Sequence, residues 1–203
     1  AEKQAAAEKF DKGHRRDMGQ VLANGGLGAV LATLSAFVPE TVVPAATWLY
    51  LFLGVMATVT ADTWATELGT LSKQPPRLIT NGKTVEVGTS GGVSPLGTVV
   101  SLAGGLLIGI VAGLITEYNL GITALAGALG GLTGSLIDSL LGATVQQIYY
   151  SDARHKETEK KVELDGTPNR PLRGWAWMNN DMVNLISSVV GGFVAVAIAL
   201  LFS

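Results

Sequence analysis

At 203 residues, with 48% hydrophobic and only 15% charged side chains, the chain departs from the roughly one-quarter charged composition of a water-soluble domain, and its mean hydropathy is positive. The net charge of −2 says little by itself, because a protein that crosses a membrane segregates its charges, while zero cysteine excludes disulfides, thiolate metal sites and thiol catalysis. Glycine, at 26 residues, is too abundant for ordinary soluble helices but suits membrane helices, where small residues let backbones approach closely.

The chain opens on a polar, helix-prone arm, 1–18, with no apolar core of signal-peptide type, and an upstream helix is left open. Apolar runs near 19–38, 43–61, 93–115, 121–145 and 182–202 each approach the roughly 20 residues that a bilayer core demands. The fold class predicted is all-α: one integral membrane domain over 1–203, a polytopic helix bundle with about five transmembrane helices. The short links 39–42 and 116–120 require antiparallel hairpins, and the other links are long and polar. Every Lys and Arg lies in the arm, in 72–92 or in 149–180, which an alternating path places on one side. The positive-inside rule makes that side cytoplasmic, and the opposite loops carry only Glu40 and Glu117.

In the first span Gln20 and Asn24 lie four apart on one helical face, as lining for a headgroup pocket or as helix–helix hydrogen bonding. Four carboxylates sit at or just inside the cytoplasmic ends of apolar runs: Asp62 and Glu67 in ATVTADTWATELG, Asp138 in GSLIDSLLGATVQ, and Asp181 in WMNNDMVN. Facing lipid, each would cost about 2.5–3.5 kcal/mol even on the lenient insertion scale, so they face the bundle interior or the water interface. With Asn180, Asn184, Thr63 and Ser135 nearby, they form an oxygen-rich set suited to Mg²⁺ shared with substrate phosphates. The bland alternative is that Asp181 caps the last helix, Glu67 is interfacial and Asp138 bonds a neighbouring helix. Asp62 and Glu67, five apart, point about 140° away from each other on a regular helix and converge only if the helix ends between them.

Between the second and third spans, PPRLITNGKTVEVGTSGGVSPLGT supplies Arg77 and Lys83 and then Gly88, Thr89, Ser90, Gly91 and Gly92 just before a span. Glycines there let backbone N–H groups converge on an anion at the positive end of the following helix. No Gly-Lys-Ser/Thr follows with Walker A spacing, so the P-loop fold is not implied, and a flexible interfacial loop has the same composition. In 149–180, Trp175 and Trp177 read as interfacial anchors and most of the charge as a solvated face, with Arg170 or Arg173 within reach of a phosphate.

The stretches RRDMGQVLANGG, ADTWATELG, PRLITNG with VGTSGGVSPLGT, GSLIDSLLGATVQ and NNDMVN resemble the DUF92 family of integral membrane proteins, which includes phytyl-phosphate kinase. A looser likeness reaches the CTP-dependent dolichol and phytol kinases, whose Asp-bearing helix and Lys-Thr-x-Glu-Gly-Thr-type loop are similar to Asp62 onward and to Lys83, Thr84, Val85, Glu86, Val87, Gly88 and Thr89. Val87 interrupts that pattern by one residue, which leaves the register of nucleotide contacts open.

The resemblance implies transfer of a γ-phosphoryl group from CTP or another nucleoside triphosphate to an isoprenoid monophosphate, an Mg²⁺-dependent kinase reaction. A lipid cytidylyltransferase and a membrane transporter are the alternatives. The metal is expected on Asp62, Glu67, Asp138 and Asp181, and the nucleotide phosphates on Lys83, Gly88, Thr89, Ser90, Gly91, Gly92 and Asn180. Arg77 is the expected clamp for the acceptor phosphate, completing a catalytic set with Asp62, Glu67 and Asp138. Gly104, Gly105, Gly127 and Gly130 are expected to leave a groove for the prenyl tail. The partners implied are an isoprenoid phosphate lipid, a nucleotide and membrane lipids, with no nucleic acid and with homo-oligomerisation left open. Localisation follows as the cell membrane, or a plastid or thylakoid-type membrane in a photosynthetic source.

Overall fold

The computed structural model describes residues 18–163 and 165–202, with the Gln20 side chain outside that description; the expected polar arm, 1–18, lies outside the described residues except for Met18. Its first element is a helical stretch in three pieces: α1 (Met18–Val21), a π-helical segment (Leu22–Gly26) and α2 (Leu27–Phe37). Then follow α3 (Ala45–Leu68), continued by a 3₁₀ turn (Gly69–Leu71), and α4 (Pro95–Ile115), α5 (Leu120–Thr144) and α6 (Asn180–Phe202). Four of these, Ala45–Leu71, Pro95–Ile115, Leu120–Thr144 and Asn180–Phe202, are long and apolar enough to cross a membrane, and Leu22–Phe37 is a shorter apolar helix. At 1.5 Å per residue the 24 residues of α3 span about 36 Å, more than the hydrocarbon core of about 30 Å.

Local chemistry sets the helix starts. Ser94 accepts from the Gly97 N–H at 3.1 Å with Pro95 in the first turn, and Asn119 accepts from the Ile122 N–H at 3.1 Å. At α6 the cap is the Asn179 side chain, which accepts from the Met182 N–H at 3.0 Å. Asp181 therefore does not cap that helix; it sits in the first turn, where a carboxylate suits the positive end of the dipole.

Helix α3 packs on α4, α5 and α6, and α4 and α5 form an antiparallel hairpin. Glycine makes these contacts possible. A Cβ on Gly54 would run into the Gly191 carbonyl and lie 2.7 Å from the Ala195 Cβ, and one on Gly127 would lie 2.7 Å from the Gly109 Cα. The expected prenyl groove does not exist at these positions: Gly105 and Gly127 face each other's backbones, Gly130 faces the Gly191 carbonyl, and Gly104 is covered by Trp64 and Ala61. The small residues are spent on helix contact, as lipid-solvated helices require. Thr58 reinforces the centre by donating to the Gly54 carbonyl at 2.9 Å and reaching the Gly130 carbonyl at 3.4 Å.

The polar connections, read from sequence as loops, carry short strands. In the first, β1 (Arg77–Leu78) pairs antiparallel with β2 (Gly92–Val93), closing the glycine loop at its base. In the second, β3 (Ile148–Ser151) is flanked by β4 (Lys156–Thr158) and β5 (Arg170–Arg173), antiparallel to both. Both strand groups lie at one end of the bundle, where α3 and α5 finish and α4 and α6 begin. Among the described residues every Lys and Arg lies at that end.

Candidate functional site

Asp62 lies six residues before the end of α3 and Asp138 six before the end of α5, so both reach the same depth below the polar end of the bundle. They line one small cavity with Thr63 of α3, Asn184 and Ser187 of α6, and Asn24 of the π-helical segment. Ser187, 1% exposed, donates to Asp138 Oδ2 at 3.1 Å, and Asn184 Nδ2 donates to Asn24 Oδ1 at 3.4 Å. The bland reading of Asp138, a hydrogen bond to a neighbouring helix, is thus realised, and Asp62 and Asp138 each have further interactions. The π-helical turn sets Asn24 in this wall, a distortion often found at functional positions. Beside it, Ser101 of α4 donates to the Ala61 carbonyl at 3.1 Å and shares a hydroxyl–hydroxyl hydrogen bond with Ser135 at 2.9 Å, tying three helices together next to the acids.

Glu67 and Asp181 are not in that cavity. Helix α3 continues unbroken through Asp62 to Leu68, so the five-residue spacing keeps Glu67 on another face, where it is exposed. Asp181 is half-buried at the start of α6 and makes interactions of its own. Among the described residues no three of His, Asp and Glu gather into a metal cluster. The donor set of the cavity, two carboxylates with amide and hydroxyl oxygens, still fits Mg²⁺, which commonly takes one or two carboxylates and completes its shell with water and phosphate. The cavity measures about 10 Å³, roughly room for one water molecule.

The glycine loop packs against the end of α5. Gly91 is buried at φ +85°, and a Cβ there would lie 2.7 Å from the Ala143 Cα; Gly88, at φ +89°, meets open space. The Gly92 N–H donates to the Thr89 carbonyl at 3.0 Å and the Thr89 N–H to the Glu86 carbonyl at 3.1 Å, so these two donors serve the loop itself. Ser90 donates to Gln146 Oε1 at 2.6 Å. Ala143 is five residues beyond Asp138, about 7.5 Å farther along the helix axis and about 140° around it, so the loop seats at the same end of the bundle but on another face of α5 than the acidic cavity. Arg77 donates to the Gly82 carbonyl at 3.0 Å from an exposed side chain, Lys83 is exposed beside it, and Asn180 is half-buried in the first turn of α6.

Sequence reasoning missed two features. Gln146 is 2% exposed, accepts from Ser90, and its Nε2 has no hydrogen-bond partner among the described residues; its place beside Gln147 at the end of an apolar run reads as the polar edge of a span and gave no hint of this. Ser187 did carry a signal, since Asn184 and Ser187 are three apart and share the α6 face toward Asp138.

Arg170 and Arg173 of the second polar segment make contacts within the protein. Arg173 donates to the Gly142 carbonyl at 3.0 Å and the Ala143 carbonyl at 3.3 Å, capping α5 with a cation at its negative end. Arg170 pairs with Asp152 at 3.4 Å and lies 4.8 Å over the Tyr150 ring. Arg154, Ser151 and Asn169 hydrogen-bond the Glu163 carboxylate and hold its pKa well below the usual range, at about 2. Trp175 and Trp177 stack with ring centroids 5.6 Å apart and are exposed, as interfacial anchors beside α6 would be.

Four spanning helices, with two carboxylates held between them near one end, define a polytopic helical membrane protein with its polar groups concentrated toward one membrane face. The chain belongs to the family described as integral membrane protein DUF92, whose model matches residues 1–192. It is 34% identical over 205 residues to Protein PGR of Arabidopsis thaliana, covering 92% of this chain and 70% of that protein. To Uncharacterized membrane protein MJ0933 of Methanocaldococcus jannaschii it is 34% identical over 193 residues, covering 95% and 66%. To Protein VTE6, chloroplastic, of A. thaliana it is 28% identical over 198 residues, covering 96% and 50%, so the chain spans only part of each relative's length. No solved structure matches the chain.

Proposed function

We propose that this protein is a CTP-dependent isoprenoid monophosphate kinase, working at the cytoplasmic face and producing a prenyl diphosphate and CDP. The observation that carries the reading is the meeting of Asp62 and Asp138 in one polar cavity, with the glycine loop seated on Ala143 at the same end of the bundle. The resemblance of the sequence motifs to the family that includes phytyl-phosphate kinase supports this choice of reaction, and the clustering of Lys and Arg at that end supports the cytoplasmic assignment.

In this reading Asp62 and Asp138 hold Mg²⁺, whose charge offsets that of the phosphate oxygens. The cavity has to widen toward the polar end of the bundle to admit phosphate, since it now has room for about one water. Gly88, Thr89, Ser90, Gly91 and Gly92 line the nucleotide phosphates with Lys83 and Asn180, and Arg77 receives the acceptor phosphate. Ser90 exchanges its bond to Gln146 for one to phosphate. Glu67 and Asp181, at the same end but outside the cavity, serve at its rim. An oxygen of the prenyl phosphate attacks the γ-phosphorus, the bond to the β–γ bridging oxygen breaks, and CDP leaves. The nucleophile is already an anion, so the protein's task is in-line positioning and charge neutralisation.

The test is product analysis by mass spectrometry after incubating the purified protein in detergent with Mg²⁺, CTP and phytyl or geranylgeranyl monophosphate. CDP with a prenyl diphosphate supports the kinase. Pyrophosphate with a CDP-lipid would identify a lipid cytidylyltransferase using the same groups. Flux across vesicles without nucleotide turnover would identify a transporter, which the gathering of acids toward one end disfavours.

A further inference from the structure

A second cavity lies at the opposite end of the bundle from the acids. It measures about 310 Å³, at the lower limit of ligand pockets, and sits between the first turn of α3, the α4–α5 link and the last turns of α6. Its walls include Val196 and Leu200 of α6; Leu200, Leu201 and Phe202 are exposed beside it, which opens that side toward lipid.

Its polar groups are few and specific. Tyr50 is 5% exposed and reaches the cavity from the core, and no hydrogen bond to its hydroxyl is formed among the described residues. That hydroxyl is open to the cavity and can donate to an acceptor bound there. Tyr118 meets Tyr50 edge to face, with centroids 5.9 Å apart and planes at 76°, leaving ring surface turned elsewhere. Glu117 stands exposed at the mouth, and Thr47 adds a hydroxyl. The connections at this end, 38–44 and 116–119, contain Glu40 and Glu117 and no Lys, Arg or His, so no side chain of those connections neutralises the carboxylate.

We propose that this cavity binds the headgroup of a zwitterionic phospholipid from the leaflet opposite the acidic site. Its ammonium meets Glu117 and the Tyr118 ring face, its phosphate or ester oxygens accept from Tyr50 and Thr47, and its chains leave past Leu200 into the bilayer. The charge pattern selects the ligand: an anionic lipid would bring only repulsion to Glu117, whereas an ammonium gains both a carboxylate and an aromatic face. The site requires no nucleotide, metal or turnover and stands apart from the kinase reading.

The experiment is native mass spectrometry of the full chain, delipidated in detergent and then titrated with phosphatidylethanolamine, phosphatidylcholine or phosphatidylglycerol of identical chains. One molecule of either zwitterionic lipid per chain should be retained about fivefold over phosphatidylglycerol, the discrimination expected of one carboxylate and one ring face. Glu117→Gln, a surface change that leaves the core intact, should bring that ratio to about one. Tyr50→Phe should weaken retention of all three lipids while melting with the parent protein. Equal retention of the three lipids, an unchanged ratio in Glu117→Gln, or a lipid-free dimer covering the cavity would each overturn the proposal.

Discussion

Ser187 on α6 donates its hydroxyl proton to Asp138 on α5 at 3.1 Å, and that contact fixes one of the two carboxylates of the acidic cavity across a helix interface. Interhelical hydrogen bonds of this kind contribute about 0.6 kcal/mol in membrane proteins, so Ser187→Ala should lower stability by about 1 kcal/mol or less. Its larger effect should fall on turnover, with kcat down about tenfold from a misaimed carboxylate and the nucleotide KM nearly unchanged. Steady-state kinetics alongside thermal melting in detergent separates the two effects.

Gly54 offers a packing test that does not depend on function. A Cβ there meets the Gly191 carbonyl and the Ala195 Cβ, so Gly54→Ala should destabilise by about 1–3 kcal/mol. Gly25, with nothing within 4 Å of such a Cβ, should accept alanine within about 0.5 kcal/mol. The pair of melting curves checks whether α3 and α6 touch backbone to backbone.

The glycine loop separates strain from contact. Gly88→Ala adds only the left-handed penalty of about 1–2 kcal/mol, because the space around it is open. Gly91→Ala adds the same penalty and also drives into Ala143, lifting the loop from α5. Its nucleotide KM should rise about tenfold, against less than about threefold for Gly88→Ala. Isothermal titration with a non-hydrolysable CTP analogue reads the same ranking without chemistry.

The pH dependence of the β3–β4–β5 segment follows from Glu163. Its carboxylate is held at about 2 against an ordinary 4.5, with the Arg154 hydrogen bond as the largest cause and those of Ser151 and Asn169 next. A depressed acid stabilises the folded segment above the unfolded value, and that contribution is lost as pH falls from about 4.5 toward 2. Hydrogen-exchange protection at the Asn169 amide, which donates to the Lys161 carbonyl, should therefore decline through that window, and Glu163→Gln should remove the decline.

Much of this architecture was legible in the chain itself. Length and hydropathy located five apolar runs, of which four form helices long enough to span and the first, 19–38, forms the shorter apolar helix Leu22–Phe37, and the short 116–120 link required the α4–α5 hairpin that forms. The cost of a charge in lipid pointed to Asp62 and Asp138, which do face inward together. Other features depend on three-dimensional contact. Glycines at 104, 105, 127 and 130 look alike whether they leave a groove or seat a neighbour, and only packing decides for the neighbour. Arg173 reads from sequence as within reach of a phosphate, and only the folded chain, turning at Gly174 with φ +90°, shows it at the end of α5. Gln146 is equally silent, because its role comes from the glycine loop folding onto it 56 residues away in sequence.

The most direct test of the central claim compares Asp62→Asn and Asp138→Asn with the parent protein for CDP and prenyl diphosphate formation from CTP and a prenyl monophosphate. Asparagine keeps the size of each side chain and a hydrogen-bond acceptor for Ser187 while removing the charge, so both variants should fold and melt near the parent. If the two carboxylates hold the metal for phosphoryl transfer, product formation should fall at least about a hundredfold in each and recover only partly with excess Mg²⁺. Parent-like rates in either folded variant would contradict the account.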